Sequence, residues 1–527
     1  MVALAVALAD VRERVRRPSF LAILALAALL GYAIVTEVFV LRLGAYRGVY
    51  DAAWIGVLVA VALGVFMSLV GFYLVRGGVQ RDAATGVGQV LAATPLRSIS
   101  YLTGTFLGGL VVLLAVVAAL AVAAVVMVLV HGEGARLDLG AVLVPFVVLT
   151  VPVAALTAAA AVLFDCVPIL RQGLGNVAYF VLWLVLMATF GSELIGFGVV
   201  EAGAATALAA AGLPYGGGIA LGTGGLELTP FLWPGLAWAG VGVGRLPYLA
   251  LAAALVLIAS VPFERFDTAR GRAWLPRWPS VVIRRSGASR ASRPAERTDD
   301  APAVAVAAPP SAPRPLPPAT RGSAVEGFLA LVRAELALLL RGRPWVWYLV
   351  AVGLVVAGAL APAETVRRVV LPLAWIWPLL VWSELGAREA THRMRDLIAA
   401  TPAPVVRPLL ASWLAGVALA LAAGAGALVH AVQHPDMLLG FVAGATFLPA
   451  LALALGSLSG SPRPFQVVAL LLWYLGALNG IAAFDVTAAT PGASAARTPL
   501  AYLALAAALL CVALASRWAA LGPRRRS

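Results

Sequence analysis

The chain has 527 residues, 62% of them hydrophobic and 12% charged, far from the roughly 45–50% and 25% of a soluble domain, which excludes a soluble secreted protein. Its formal charge of +14 is carried by 38 basic residues, every one of them Arg. The two cysteines, Cys166 and Cys511, form neither a metal spacing nor a disulfide framework.

The chain opens on an amphipathic pattern. Leu4, Leu8, Val11 and Val15 form a stripe beside Asp10, Arg12, Glu13, Arg14, Arg16 and Arg17, and Pro18 follows. This predicts a helix on the membrane surface, its arginines reaching for headgroups. The apolar segment behind it has no small-residue cleavage site, so it is expected to remain as a first span. Hydropathy places spans near 19–41, 53–75, 101–130, 140–163, 173–192 and 247–263. A second set lies near 345–362, 368–385, 408–433, 437–458, 465–484 and 498–516. Backbone in hydrocarbon must satisfy its own hydrogen bonds, so the expected fold class is an all-α polytopic membrane protein of about twelve spans.

Between the two sets, 266–325 carries Arg284, Arg285, Arg290, Arg293 and Arg297 and a Pro-rich stretch from Pro302 to Pro318. It has too few large apolar residues to bury a core and reads as a disordered linker between a first half, 1–265, and a second, 326–527. The second half also begins with a surface-helix pattern: Phe328, Leu331, Val332 and Leu339 beside Arg333, Glu335, Arg341 and Arg343, then Pro344. If both termini and the linker are cytoplasmic, only Arg42, Arg47, Arg136, Arg245, Arg367, Arg368 and Arg497 lie outside. That bias predicts N-in, C-in, and makes the basic charge an orientation signal rather than a nucleic-acid surface.

A repeat links the halves. After the second span the chain reads Arg81-Asp82-Ala83-Ala84 and ends in Leu91-Ala92-Ala93-Thr94-Pro95; 307 residues later it reads Arg388-Glu389-Ala390-Thr391 and ends in Ile398-Ala399-Ala400-Thr401-Pro402. Val87, Val90, Leu91 and Thr94 follow i, i+3, i+4, i+7, and Met394, Leu397, Ile398 and Thr401 repeat the pattern, which predicts a helix of about four turns in each copy, ended by Pro. Such a helix could merely cover the membrane surface. Its recurrence in the same loop of both halves favours a helix that docks on a soluble partner.

Surface helix, two spans, loop helix ending in Thr-Pro, then four more spans resembles the membrane subunit of type-2 ABC exporters, the ABC-2 permease family. The resemblance covers both halves and leaves out the linker. It implies that 81–95 and 388–402 are coupling helices and that two copies of a separate ABC ATP-binding subunit dock on them. It also implies an ATP-driven exporter in the cell inner membrane. One chain would then supply two six-span halves, where the family usually has one per chain. The chain itself is expected to be no enzyme and to hold no cofactor: a P-loop needs a Lys, so ATP-Mg belongs to the partner. An ion-coupled secondary transporter of major-facilitator-like 6+6 layout is the alternative. A membrane enzyme on lipid-linked substrates would need clustered carboxylates or histidines, whereas Glu193, Glu201 and Glu227 are scattered.

Other polar residues read as structural. His430, His434 and Asp436 lack an obvious third ligand; Asn176 and Asn479 suit interhelical hydrogen bonds. Asp165, Glu384 and Asp485 are expected near helix ends, where placement is cheap. The Gly-rich stretch 193–246, with Trp233 and Trp238, suits an interfacial or re-entrant outer segment.

Overall fold

The computed structural model describes residues 2–16, 39–133, 137–171, 173–223, 228–263, 266, 324–392, 394–400, 405–487, 490 and 497–521. Most of the expected first span, nearly all of the linker, and Thr401 and Pro402 lie outside the described residues.

In the first half, α1 (Val2–Val15) is followed by a two-stranded turn, β1 (Phe39–Leu43) and β2 (Tyr46–Gly48). Helix α2 (Ala52–Phe66) starts at Asp51, whose side chain accepts the Trp54 N–H at 2.8 Å. Two short helices follow, α3 (Gly78–Ala84) and α4 (Val87–Ala92), then the long α5 (Ser98–His131). Helix α6 (Leu139–Pro145), capped by Asp138, runs through a wide turn at Phe146–Thr150 into α7 (Val151–Cys166). Helices α8 (Gly173–Ile195) and α9 (Phe197–Ala210), strands β3 (Ile219–Thr223) and β4 (Thr229–Phe231), and α10 (Trp238–Ala259) complete the half.

The second half runs from α11 (Ala324–Leu340) through α12 (Trp345–Leu360) to the broken pair α13 (Leu371–Ile376) and α14 (Leu379–Trp382). Two short helices again follow, α15 (Arg388–Thr391) and α16 (Arg395–Ala399). Then come α17 (Val406–Ala423), α18 (Ala425–Ala431), α19 (Pro435–Ser459), α20 (Arg463–Leu472) and α21 (Thr498–Leu521).

Among the described residues, seven helical stretches are long and apolar enough to cross a bilayer, or eight if the bent pair α11–α12 is one span. The protein is thus an all-α polytopic membrane protein. The expected span at 173–192 lies within the 23-residue α8, the one at 465–484 is a shorter apolar helix, Arg463–Leu478, and the one at 368–385 is broken at Trp377–Pro378. Two of the five-residue wide turns, Phe146–Thr150 and Val366–Val370, end two residues before a proline, Pro152 and Pro372; a third, Met67–Gly71, does not. Proline lacks the N–H and crowds the carbonyl four residues back, so the helix widens there.

Helix α2 is buried on nearly every side and α19 holds the corresponding central place in the second half. Small residues allow close crossings: a Cβ on Gly456 would stand 2.7 Å from the Gly386 backbone, where α19 meets the chain after α14.

One end of the bundle carries a four-stranded sheet in the order β3-β1-β2-β4. Strand β1 pairs antiparallel with β2 and with β3 (Leu41 opposite Leu221), and β2 pairs parallel with β4 (Arg47 opposite Pro230). The stretch 193–246 is therefore not a plain interfacial segment: it folds into a helix, two strands and the start of α10. Trp233 is not at a lipid boundary but 1% exposed, edge-on to Trp54 at 5.5 Å.

Candidate functional site

The opposite end holds the two repeated loop segments. Each was expected to be one helix of about four turns; each is instead two short helices. Gly77 at φ +93° turns the chain out of the bundle into α3, and Gly86 at φ +81° separates α3 from α4. The second copy ends its first helix at Thr391 and begins its next at Arg395, 307 residues on from Ala84 and Gly88, so the interruption overlaps the one between Ala84 and Val87 in the first copy. The Thr85 hydroxyl donates to the Arg81 carbonyl at 3.0 Å, and the Thr94 hydroxyl to the Leu91 carbonyl at 2.7 Å, closing the two turns. Pro95 follows in extended chain and leads into α5.

The charged residues of the motif face their own half. Arg81 reaches Asp10 on α1 at 2.9 Å, Glu13 at 3.1 Å and Asp82 at 3.1 Å. Asp10 also pairs with Arg14 at 2.7 Å, and Asp82 accepts the Tyr101 hydroxyl at 2.6 Å. In the second copy Arg388 pairs with Glu335 on α11 at 3.0 Å, and Glu389 pairs with Arg517 near the end of α21. Each loop is thus fastened by its Arg to an acid on the surface helix that opens its half.

The apolar stripe faces away. Val87, Val90, Met394 and Leu397 are 48%, 67%, 41% and 70% exposed, and Leu91 and Ile398 are half-buried. Position for position, the two copies show the same two exposed residues and the same half-buried third. Thr94 and Pro95 are exposed as well.

Helix α1 reverses the usual amphipathic rule. Its Leu4 and Leu8 are exposed, while Ala7, Asp10 and Arg14 are buried against α5. Gly104 and Gly108 permit this approach, since a Cβ on Gly108 would stand 2.7 Å from the Asp10 carboxylate. In a membrane protein the apolar side can face lipid and the polar side the protein.

A chain of buried polar groups joins the halves just behind the loops. Arg76 donates to the Asn176 side chain, Asn176 donates to Gln466, and Gln466 donates to the Ser383 hydroxyl at 3.0 Å. Ser383 stands 307 residues after Arg76, the offset of the loop repeat. Asp165 is 2% exposed, accepts the Gly77 N–H at 2.6 Å and lies 3.5 Å from Arg76 Nε. Arg463 donates to the Arg76 carbonyl at 2.9 Å and to Gln80 at 3.3 Å. A side chain at 77 would strike the Arg463 guanidinium, so Gly77 serves both the turn and this contact. Further along, Phe180 meets Trp473 and Trp183 meets Tyr474, at 5.9 and 5.0 Å.

Of the residues singled out in sequence, Asn176 is an interhelical donor as expected, and its bond crosses between the halves. Arg76, Arg463 and Gln466 were missed. A polar residue in an apolar run was the only available signal. Asp165 lies at the end of α7, yet it is not solvated there. Asp485 holds a turn by accepting from Thr487 and Thr490, Glu384 pairs with Arg343 at 3.0 Å, and Asn479 donates to the Tyr474 carbonyl. His430 has its Nε2 buried, and among the described residues no three His, Cys, Asp or Glu side chains gather as a metal site.

A scan against protein-family models and a search of curated proteins find no match for the chain.

Proposed function

We propose that the chain is the membrane-spanning permease subunit of an ATP-driven ABC exporter. In this proposal it has twelve spans in two tandem halves, with both termini and the loop helices on the cytoplasmic side. Two copies of a separate ATP-binding subunit dock on the exposed stripes, one per loop. The observation that carries the proposal is the repeated division of labour in the loops. In both copies the Arg and the acid are spent inside the half, while the same apolar positions are left uncovered. An apolar stripe on a short helix is the feature that a groove on a soluble partner recognises. The Arg81–Asp10 and Arg388–Glu335 pairs add a mechanical link, since force on the loop would reach the surface helix and the start of the half.

The test is a pull-down of the tagged full chain from its native membrane in mild detergent, with mass spectrometry of the co-purifying proteins. The expected result is a stoichiometric soluble subunit carrying a P-loop. Val90→Glu combined with Leu397→Glu should abolish its recovery while membrane insertion stays intact. Unchanged recovery in that variant would defeat the docking assignment. A transport-active chain with no ATPase bound would defeat the permease assignment itself.

A further inference from the structure

A cavity of about 390 Å³ lies between α11, the α15–α16 pair and the start of α17. That size falls in the range of small-molecule sites. Its walls are largely apolar: Phe328 and Leu331 from α11, Leu385, and Met394 and Ile398 from the loop. Arg388 and Arg407 also line it, together with Glu335, which pairs with Arg388, and Glu389, which pairs with Arg517. Arg407 is exposed and makes no ion pair among the described residues, and one Nη of Arg388 is buried with no hydrogen-bond partner among them.

The position of the cavity identifies the medium around it. Helix α11 leaves α12 at 109°. If α12 crosses the bilayer, α11 lies along the membrane surface and the cavity beneath it sits at headgroup depth. The first half treats the matching space differently. There, between α1, α4 and α5, Phe263 and Phe266 pack with Tyr101, Val6 and Leu91, and Phe266 lies against Gly88. The first half fills the space with its own aromatic side chains, whereas the second leaves it open and lines it with two arginines and two glutamates, each glutamate already paired with an arginine.

We propose that this cavity binds one anionic phospholipid. An acyl chain occupies the apolar walls, and the phosphate is held by Arg407 and the unpaired Nη of Arg388. Arginine suits a phosphate because its planar fork donates two parallel bonds. The apolar walls supply what a free phosphate could not use. The site touches Met394 and Ile398, so an occupied cavity supports the loop from beneath; this holds whether or not the loop docks an ATPase.

The experiment reconstitutes the full chain in bilayer discs of mixed phosphatidylglycerol and phosphatidylethanolamine and counts retained lipids by native mass spectrometry. One phosphatidylglycerol should be retained in preference to phosphatidylethanolamine. Arg407→Gln should lower that retention roughly tenfold, the size of one charge-assisted hydrogen bond. Leu331→Trp, which fills the cavity and leaves both arginines in place, should lower it as much. If that variant does not fold, Leu338→Trp fills the same wall from a half-exposed position. Arg341→Gln, one residue past the end of the same surface helix and outside the cavity, should change nothing. Equal retention of the two lipids overturns the proposal. So does loss on removing Arg407 with no effect from either cavity-filling variant, which marks a surface basic patch instead. Displacement of the lipid by millimolar inorganic phosphate also overturns it, by assigning the site to the free anion.

Discussion

At the scale of single residues, ion pairs do different work at the two ends of the molecule. At the sheet end Arg47 forks onto Glu133 at 3.1 and 2.8 Å, and the Tyr50 N–H donates to the same carboxylate at 3.1 Å. The Arg47 bonds, then the Tyr50 N–H, hold the Glu133 carboxyl below the ordinary glutamate range. A carboxyl lowered on folding stabilises above its unfolded pKa, about 4.3, and that contribution fades as pH falls through the folded value. Glu133 is 40% exposed, so the pair contributes about 0.2–1 kcal/mol. A nitroxide on Ala45→Cys, with Cys511→Ser to remove the exposed native thiol, should become more mobile as pH drops from 6 to 3. With Glu133→Gln it should be mobile and flat across that range. A pH-independent spectrum in the parent chain would contradict the assignment. Asp165 and Asn176 show how far single residues could be read from sequence. Each stood out as polar in an apolar run. Their partners Arg76 and Gln466 are 89 and 290 residues distant, and no local pattern encodes such a pairing.

At the scale of elements, the loop helices teach the main correction. Helical periodicity correctly placed Val87, Val90 and Leu91 on one side, because that spacing survives within α4 alone. It did not reveal the break, since a glycine costs a helix only about 1 kcal/mol and does not by itself end one. Gly86 ends α3 by adopting φ +81°, and an added Cβ there would meet no atom within 4 Å. The only penalty for Gly86→Ala is therefore the left-handed backbone, roughly 1–2 kcal/mol. Amide exchange across 78–92 should quicken by about 5- to 30-fold in this variant. Gly240→Ala, also in open space but inside α10 with no positive φ, should leave those amides unchanged. Equal effects of the two substitutions would show that the Gly86 conformation does not hold the break. The surface helices were also legible as helices, but α1 turned its polar side inward. A stripe in sequence says that two faces differ; it does not say which of them meets protein.

At the scale of the whole molecule, the halves meet through groups contributed by both: Asn176 with Gln466, Arg463 with the Arg76 carbonyl, and the rings of Phe180 and Trp183 with Trp473 and Tyr474. These contacts do not require the linker. Residues 1–266 and 324–527, co-expressed as separate chains, should co-purify from the membrane. Asn176→Leu with Trp473→Ala should weaken their association: the first removes the bond that Asn176 donates to Gln466 and the oxygen that accepts from Arg76, at about 1–3 kcal/mol per buried group. If the intact fragments fail to associate, the linker rather than this interface holds the halves together.

The sequence by itself determined that the chain lives in a membrane, that its elements are helical, and that one loop motif occurs twice at a fixed offset. Composition and periodicity are local properties and survive without coordinates. The sheet at one end, the cross-half polar chain, the inward turn of Arg81 and Arg388 and the open cavity under α11 were decided only by tertiary structure. Strand β1 pairs with β3 across some 180 residues, and Arg81 finds Asp10 across 71. Such partners are selected by which helices pack side by side, and in an apolar medium many helix faces look alike until the small residues and buried polar groups are brought into register.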